Sequence, residues 1–139
     1  MAFKLDNKPY YKWPVGFEVP ADGGAWEKQS FDGHFARLGQ ERVEYLAEAY
    51  NRRVRKLQAE EELDEELAVL TPKFIAGEIL IGWNGIVDDD GNEIPYTQAT
   101  KERVLEVETV AAAVIQAWSA SLQGSAAKKQ TSKKPRGIG

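Results

Sequence analysis

The sequence predicts an α+β fold that is mainly α-helical. Apolar residues alternate with polar ones through the first 38 residues, their spacing changes to three and four from Gln40, and the pattern stops after Gly124. Those observations predict an N-terminal β-hairpin, about four helices with a small hairpin or loop near 86–96, and a disordered basic C-terminal tail. At 139 residues and 15.5 kDa, with 42% hydrophobic and 29% charged residues, the chain can fill one core and needs no second. The predicted organisation is one domain over 1–124, with a hairpin region at 1–38 and a helical region at 40–124, followed by the tail at 125–139.

Each element has a local reason. Trp13, Val15, Phe17 and Val19 alternate as in a half-buried strand, and Pro14 restricts it to an edge strand or to the very start of one. Ala21-Asp22-Gly23-Gly24 supplies the turn, and a second extended run from Trp26 puts Phe31 and Phe35 on one face, with Gly33 as a candidate bulge. Val43, Leu46, Ala47, Tyr50, Val54 and Leu57 form a helical stripe, with Glu48 and Arg52 spaced to pair on its surface. The acidic run 60–66 reads as helix surface or as a flexible link between helices, and the spacing of Leu63, Leu67 and Leu70 favours helix with a break near 60. Thr71-Pro72 reads as a helix start, Phe74, Ile75, Ile79 and Trp83 line that helix, and Gly82 or Gly85 ends it. Ile86 to Tyr96 is a turn-rich hairpin or loop. Thr97 caps a helix over 98–106, and a last helix over 109–123 ends at Gly124.

The net charge of −4 conceals a segregation. Residues 125–139 hold Lys128, Lys129, Lys133, Lys134, Arg136 and no acid, so the remaining 13 basic and 22 acidic residues leave 1–124 at −9. There is no cysteine, which excludes disulfides, cysteine-bound zinc and thiol catalysis and fits a reducing cytoplasm. The longest apolar run, 110–115, is far short of the roughly 18 residues of a membrane span, and no signal peptide is visible, so no membrane partner and no export are expected.

No reaction chemistry stands out. From Asp88, an EF-hand register places Glu93 where glycine is required and Ala99 where the last glutamate is required, so no metal is expected. His34 is the only histidine, lies opposite the Phe31 and Phe35 face of its strand, and has no nucleophile framed beside it. Nucleotide-cradling glycine loops are absent, and the carboxylates of 60–66 form a solvated face rather than a catalytic pair. No enzyme activity and no cofactor are expected. Specific nucleic-acid binding is disfavoured too: the body is acidic, and no aromatic interleaves the tail lysines. What remains is apolar surface. Phe74, Ile75, Ile79, Leu80, Ile81 and Trp83 nearly encircle their predicted helix, and Ala111, Val114, Ile115 and Trp118 spread widely on theirs. Helices of this kind are buried either by their own core or by another chain. Ile75, Ile79, Trp83, Val114 and Trp118 are therefore the candidate partner-binding or self-association residues.

The order of segments resembles the tail assembly chaperones of long-tailed, siphovirus-type bacteriophages. The resemblance is carried by Lys12-Trp13-Pro14-Val15 through Val19-Pro20-Ala21-Asp22-Gly23-Gly24 and by Gln29-Ser30-Phe31-Asp32-Gly33-His34-Phe35-Ala36-Arg37-Leu38. It continues in Gly82-Trp83-Asn84-Gly85 through Ile94-Pro95-Tyr96-Thr97 and in Val110 to Gly124, covering most of 3–124. Where that family places Pro-Gly before its last helix, this chain has Glu108-Thr109. The resemblance implies a non-enzymatic factor of the infected cell's cytoplasm, absent from the mature virion, that coats the helical tape measure protein until tail tube protein polymerises around it. It also implies self-association as a homo-oligomer and a longer frameshifted form of the chain. The alternative function is a structural tail tube or tail completion protein retained in the virion. A metal-assisted hydrolase built on 88–93 is a third reading, tested by whether calcium or magnesium raises the melting temperature.

Overall fold

The structure, a computed structural model, describes residues 8–107 and 109–133, with side chains as far as 123. It is α+β and mainly helical. Strand β1 (Tyr10–Pro20) and strand β2 (Trp26–Ala36) form the predicted hairpin, joined by a single 3-10 turn at Asp22–Gly24 in which Gly23 and Gly24 both have φ of 80°. Helix α1 spans Gln40–Gln58, α2 Glu65–Val69 and α3 Pro72–Ile79; strand β3 (Leu80–Asn84) follows, then α4 (Gln98–Glu106) and α5 (Val110–Lys133). The sheet order is β1-β2-β3, antiparallel throughout.

The register explains why prolines are tolerated in an 11-residue edge strand. Ala21 N donates to Ala25 O at 2.8 Å and Arg37 N to Pro9 O at 2.9 Å, so the odd-numbered residues of β1 exchange bonds with β2. Pro14 and Pro20 are even-numbered and point away from the ladder, where a missing N–H costs nothing and discourages pairing with another chain. On the inner face Val15, Phe31 and Phe35 are buried around Gly33, where a Cβ would come within 3.1–3.2 Å of Phe35, Leu80 and Val15. The bulge lies next to the position expected: the β2–β3 register shifts between His34 and Phe35, leaving Ile81 as the extra residue. His34 lies on the outer face, stacked on Tyr10 and 2.7 Å from Asn84 Oδ1.

Two expectations are corrected. The apolar run after Thr71-Pro72 is helix only as far as Ile79, and Leu80 to Asn84 is a third strand. Trp83 therefore belongs to the sheet, and Gly82 lies under the His34 ring instead of ending a helix. A short apolar run has no period long enough to separate helix from strand, and here pairing with β2 decides. The break near 60 is real but longer than expected. Residues 61–64 are not helical, and α2 starts only where the Asp64 side chain accepts from Leu67 N at 2.9 Å. Helix α5 also runs past Gly124 to Lys133. The following Ala126, Ala127, Lys128, Lys129 and Gln130 are strong helix formers, and one internal glycine costs only about 1 kcal/mol. The remainder of the expected disordered tail, 134–139, lies outside the described residues.

Helix α5 packs along β1 and against α3, tied by Tyr11 OH to Ser121 Oγ at 2.7 Å. The 86–96 loop folds over β3: Trp83 Nε1 donates to Ile94 O at 2.8 Å, and Tyr96 OH donates to Leu80 O at 3.2 Å. Helix α1 is clasped to α2 by Arg52, which faces Glu48, Asp64 and Glu66.

Candidate functional site: a groove between α3 and α4

The five residues singled out from the sequence are all core. Ile75, Ile79 and Val114 are fully buried, and Trp83 and Trp118 nearly so. They come together as the contact between α3, α5 and the sheet. The surplus apolar surface lies one helical step away. Phe74, flanking Ile75, is 47% exposed, and Val69 at the end of α2 is 61% exposed.

These two form one wall of a groove of about 540 Å3 between α3 and α4, with Leu105 and Gly77 at its floor. Its shape follows from local chemistry. Thr71 Oγ1 accepts from Phe74 N at 3.1 Å and Pro72 occupies the first turn, so α3 starts abruptly with Phe74 turned outward. Opposite, Thr97 and Thr100 form a reciprocal capping box, with Thr97 N to Thr100 Oγ1 at 2.8 Å and Thr100 N to Thr97 Oγ1 at 3.1 Å. That box fixes the start of α4 and aims Leu105 inward. Lys101 bridges the helices by donating to the Gly77 carbonyl, with its ammonium 5.6 Å from the Tyr96 ring centroid. Lys73 and Glu106 tie the far end at 3.2 Å.

Gly77 is the informative residue. It lies inside a helix, where glycine costs about 1 kcal/mol relative to alanine. It has no positive φ, and a Cβ there would meet only Leu105 Cδ1 and Lys101 Cε, both at 3.9 Å, an ordinary contact. Nothing within the folded chain requires glycine at this position. With no side chain there, the floor of the groove stays open. Sequence reading missed Gly77 and Lys101, although a glycine interrupting an apolar helix was a visible signal.

The electrostatics of the rim are balanced. Glu78 accepts two hydrogen bonds from Arg42, at 2.5 and 2.6 Å, which hold its carboxyl below the usual range and raise the Arg42 guanidinium in turn. Beyond the groove, Glu66 is also lowered, first by the Tyr45 hydroxyl at 2.7 Å and then by Arg52. Lys73, Lys101, Glu78 and Glu102 surround the apolar floor, so both signs of charge stand on its rim. Among the described residues, no three His, Cys, Asp or Glu side chains gather as a metal site, and no helix is long and apolar enough to cross a membrane. In the 86–96 loop, Asp88 Oδ1 accepts from Asp90 N and Asn92 N, both at 2.9 Å.

Residues 38–134 match the model of a family described as YdaY prophage protein. That span starts at the end of β2 and takes in both walls of the groove. No curated protein and no solved structure matches the chain.

Proposed function

The chain belongs to the YdaY prophage protein family, and from that premise we propose that it is a non-enzymatic tail assembly chaperone. It holds amphipathic segments of the tape measure protein in the α3–α4 groove, in the host cytoplasm, until tail tube protein replaces it. The phage setting comes from the family. The carrying observation is Gly77, a helix-interior glycine that the fold does not need, set on the floor of an open groove walled by Phe74 and Val69. Helix-in-groove recognition uses apolar anchors at i, i+3 or i+4, and i+7, which an apolar groove accommodates. The acidic body, −9 over 1–124, keeps a protein with this much open apolar surface in solution.

Co-expression with the tape measure protein tests the proposal. The client is expected to become soluble and to be retained with the tagged chaperone. A client that is equally insoluble with and without the chain, and is not retained, would sink it. Mass spectrometry of purified virions separates this function from that of a structural tail protein, because a chaperone is expected to be missing from them.

A further inference from the structure

The charge segregation is not used by the groove. Between Lys73 and Lys101 there is no basic residue, yet Glu78, Asp88, Asp89, Asp90 and Glu93 fall in that stretch. Glu78 is taken by Arg42, and the other four stand on the 86–96 loop. The loop holds its shape through its own backbone, with Asp88 accepting from Asp90 N and Asn92 N and Glu93 Oε1 accepting from Gly85 N at 3.0 Å. Two of the four, Asp88 and Asp89, line a second concavity of about 500 Å3. This trough lies between Phe17 and Val19 of the hairpin, Val87 and Asp89 of the loop, and Val107 and Val110 at the α4–α5 junction. Val87 and Val107 are about half exposed.

The complementary charge lies at the other end of α5. Val110, the first residue of that helix, is in the trough, and the 24-residue helix runs to Lys133, about 36 Å away at 1.5 Å per residue. Lys128, Lys129, Lys133, Lys134 and Arg136 follow one another there with no acid among them. Lys133 stands one helix length from the trough of its own chain, a separation that favours a second copy as the source of the charge. The acids at 60–66 are a poorer receptor, because Arg52 already faces Asp64 and Glu66 at 3.9 and 3.2 Å and Arg53, Arg55 and Lys56 lie beside them in sequence.

We infer that the basic C-terminal segment of one copy docks in the acid-rimmed valine trough of another, giving a head-to-tail contact between copies of this chain. The pairing is between the lysine charge of this segment and the carboxylates of the 88–90 loop. Such a contact is heterologous, so it closes into a ring or grows into a helical array according to the rotation between copies. It is independent of the α3–α4 groove.

Sedimentation velocity on the full chain, across concentration and salt, tests this contact. The sedimentation coefficient is expected to rise with concentration at low salt and to return toward the monomer value as salt screens the pairing. Asp89→Lys is expected to weaken association about five-fold, as is the pair Lys128→Glu and Lys129→Glu, with circular dichroism confirming that each variant is folded. Combining the reversals in one chain is expected to restore association. A wild-type chain that stays monomeric at low salt overturns the inference, as does association unchanged by either reversal. Loss on lysine reversal with no effect of Asp89→Lys, or no restoration in the combined chain, assigns the tail to another surface and overturns it equally.

Discussion

Thr109 has φ of +80°, a region that β-branched residues rarely enter, so Thr109→Gly measures how much strain the α4–α5 junction carries. The Thr109 carbonyl accepts from Ala113 N at 2.9 Å, so the first turn of α5 holds the residue in place. Left-handed backbone costs an L-residue about 1–2 kcal/mol, and more when the side chain is bulky. Against that gain, glycine adds roughly 0.5–1 kcal/mol of unfolded-state freedom. The side-chain contact that is lost, Thr109 Oγ1 to Glu18 O at 3.4 Å, is at the limit of a hydrogen bond and contributes little. The net expectation is a stabilisation of about 1 kcal/mol, or about 3 °C in melting temperature for a chain of this size. Thermal unfolding by circular dichroism, with a urea midpoint at unchanged m-value as a check, is the assay. Thr109→Val keeps the branched side chain and is expected to gain nothing. A glycine variant that melts at or below the wild type would refute the reasoning.

Glu60 makes a second case. At φ of 57° it closes α1 in a Schellman motif, with Glu60 N to Leu57 O at 3.1 Å and Glu61 N to Lys56 O at 2.9 Å, so Glu60→Gly is expected to raise the urea midpoint by about 1 kcal/mol of stability. Gly82→Ala would place a Cβ 2.6 Å from His34 Nδ1. A loss of about 1–3 kcal/mol is expected, together with a shifted His34 imidazole signal in NMR spectra. Trp118→Ala empties the core and is expected to cost about 3–5 kcal/mol, whereas Phe74→Ser on the groove wall is expected to change stability by under about 0.5 kcal/mol; equal effects would contradict the placement of both. Glu78 and Glu66 are held below the ordinary carboxyl value of 4.5, so their stabilising contributions are complete above that pH and are lost as pH falls through the lowered values. The urea midpoint is therefore expected to drop on acidification below about pH 4.5, and less steeply in Arg42→Met; identical acid profiles would remove Arg42 from the explanation.

Where a side chain acts on its own neighbours, the sequence was readable. Thr71 and Thr97 cap the helices they were expected to cap, Ala21 to Gly24 turn the hairpin, and Pro14 marks the edge strand. Strand β3 was not readable, because Leu80 to Trp83 continue the apolar run of a capped helix and only the β2 edge, distant in sequence, makes them a strand. The open surface was hard to read for a related reason. Apolar periodicity finds the face a helix buries, so Ile75, Ile79, Val114 and Trp118 emerged as prominent because they are core. The open surface is carried by the residues between them, Phe74 and Gly77, whose meaning depends on α4 arriving opposite α3.

The most direct test of the groove as the client site is calorimetric titration of an amphipathic tape measure peptide into the full chain and into Gly77→Gln. Glutamine is a good helix former with room for its Cβ, so the variant is expected to be at least as stable as the wild type while its side chain fills the groove floor. Wild-type binding with a negative heat-capacity change, weakened at least about ten-fold in the variant, is the expected result. Equal affinity for both proteins, or no binding by either, would contradict the groove as the place where this protein holds its client.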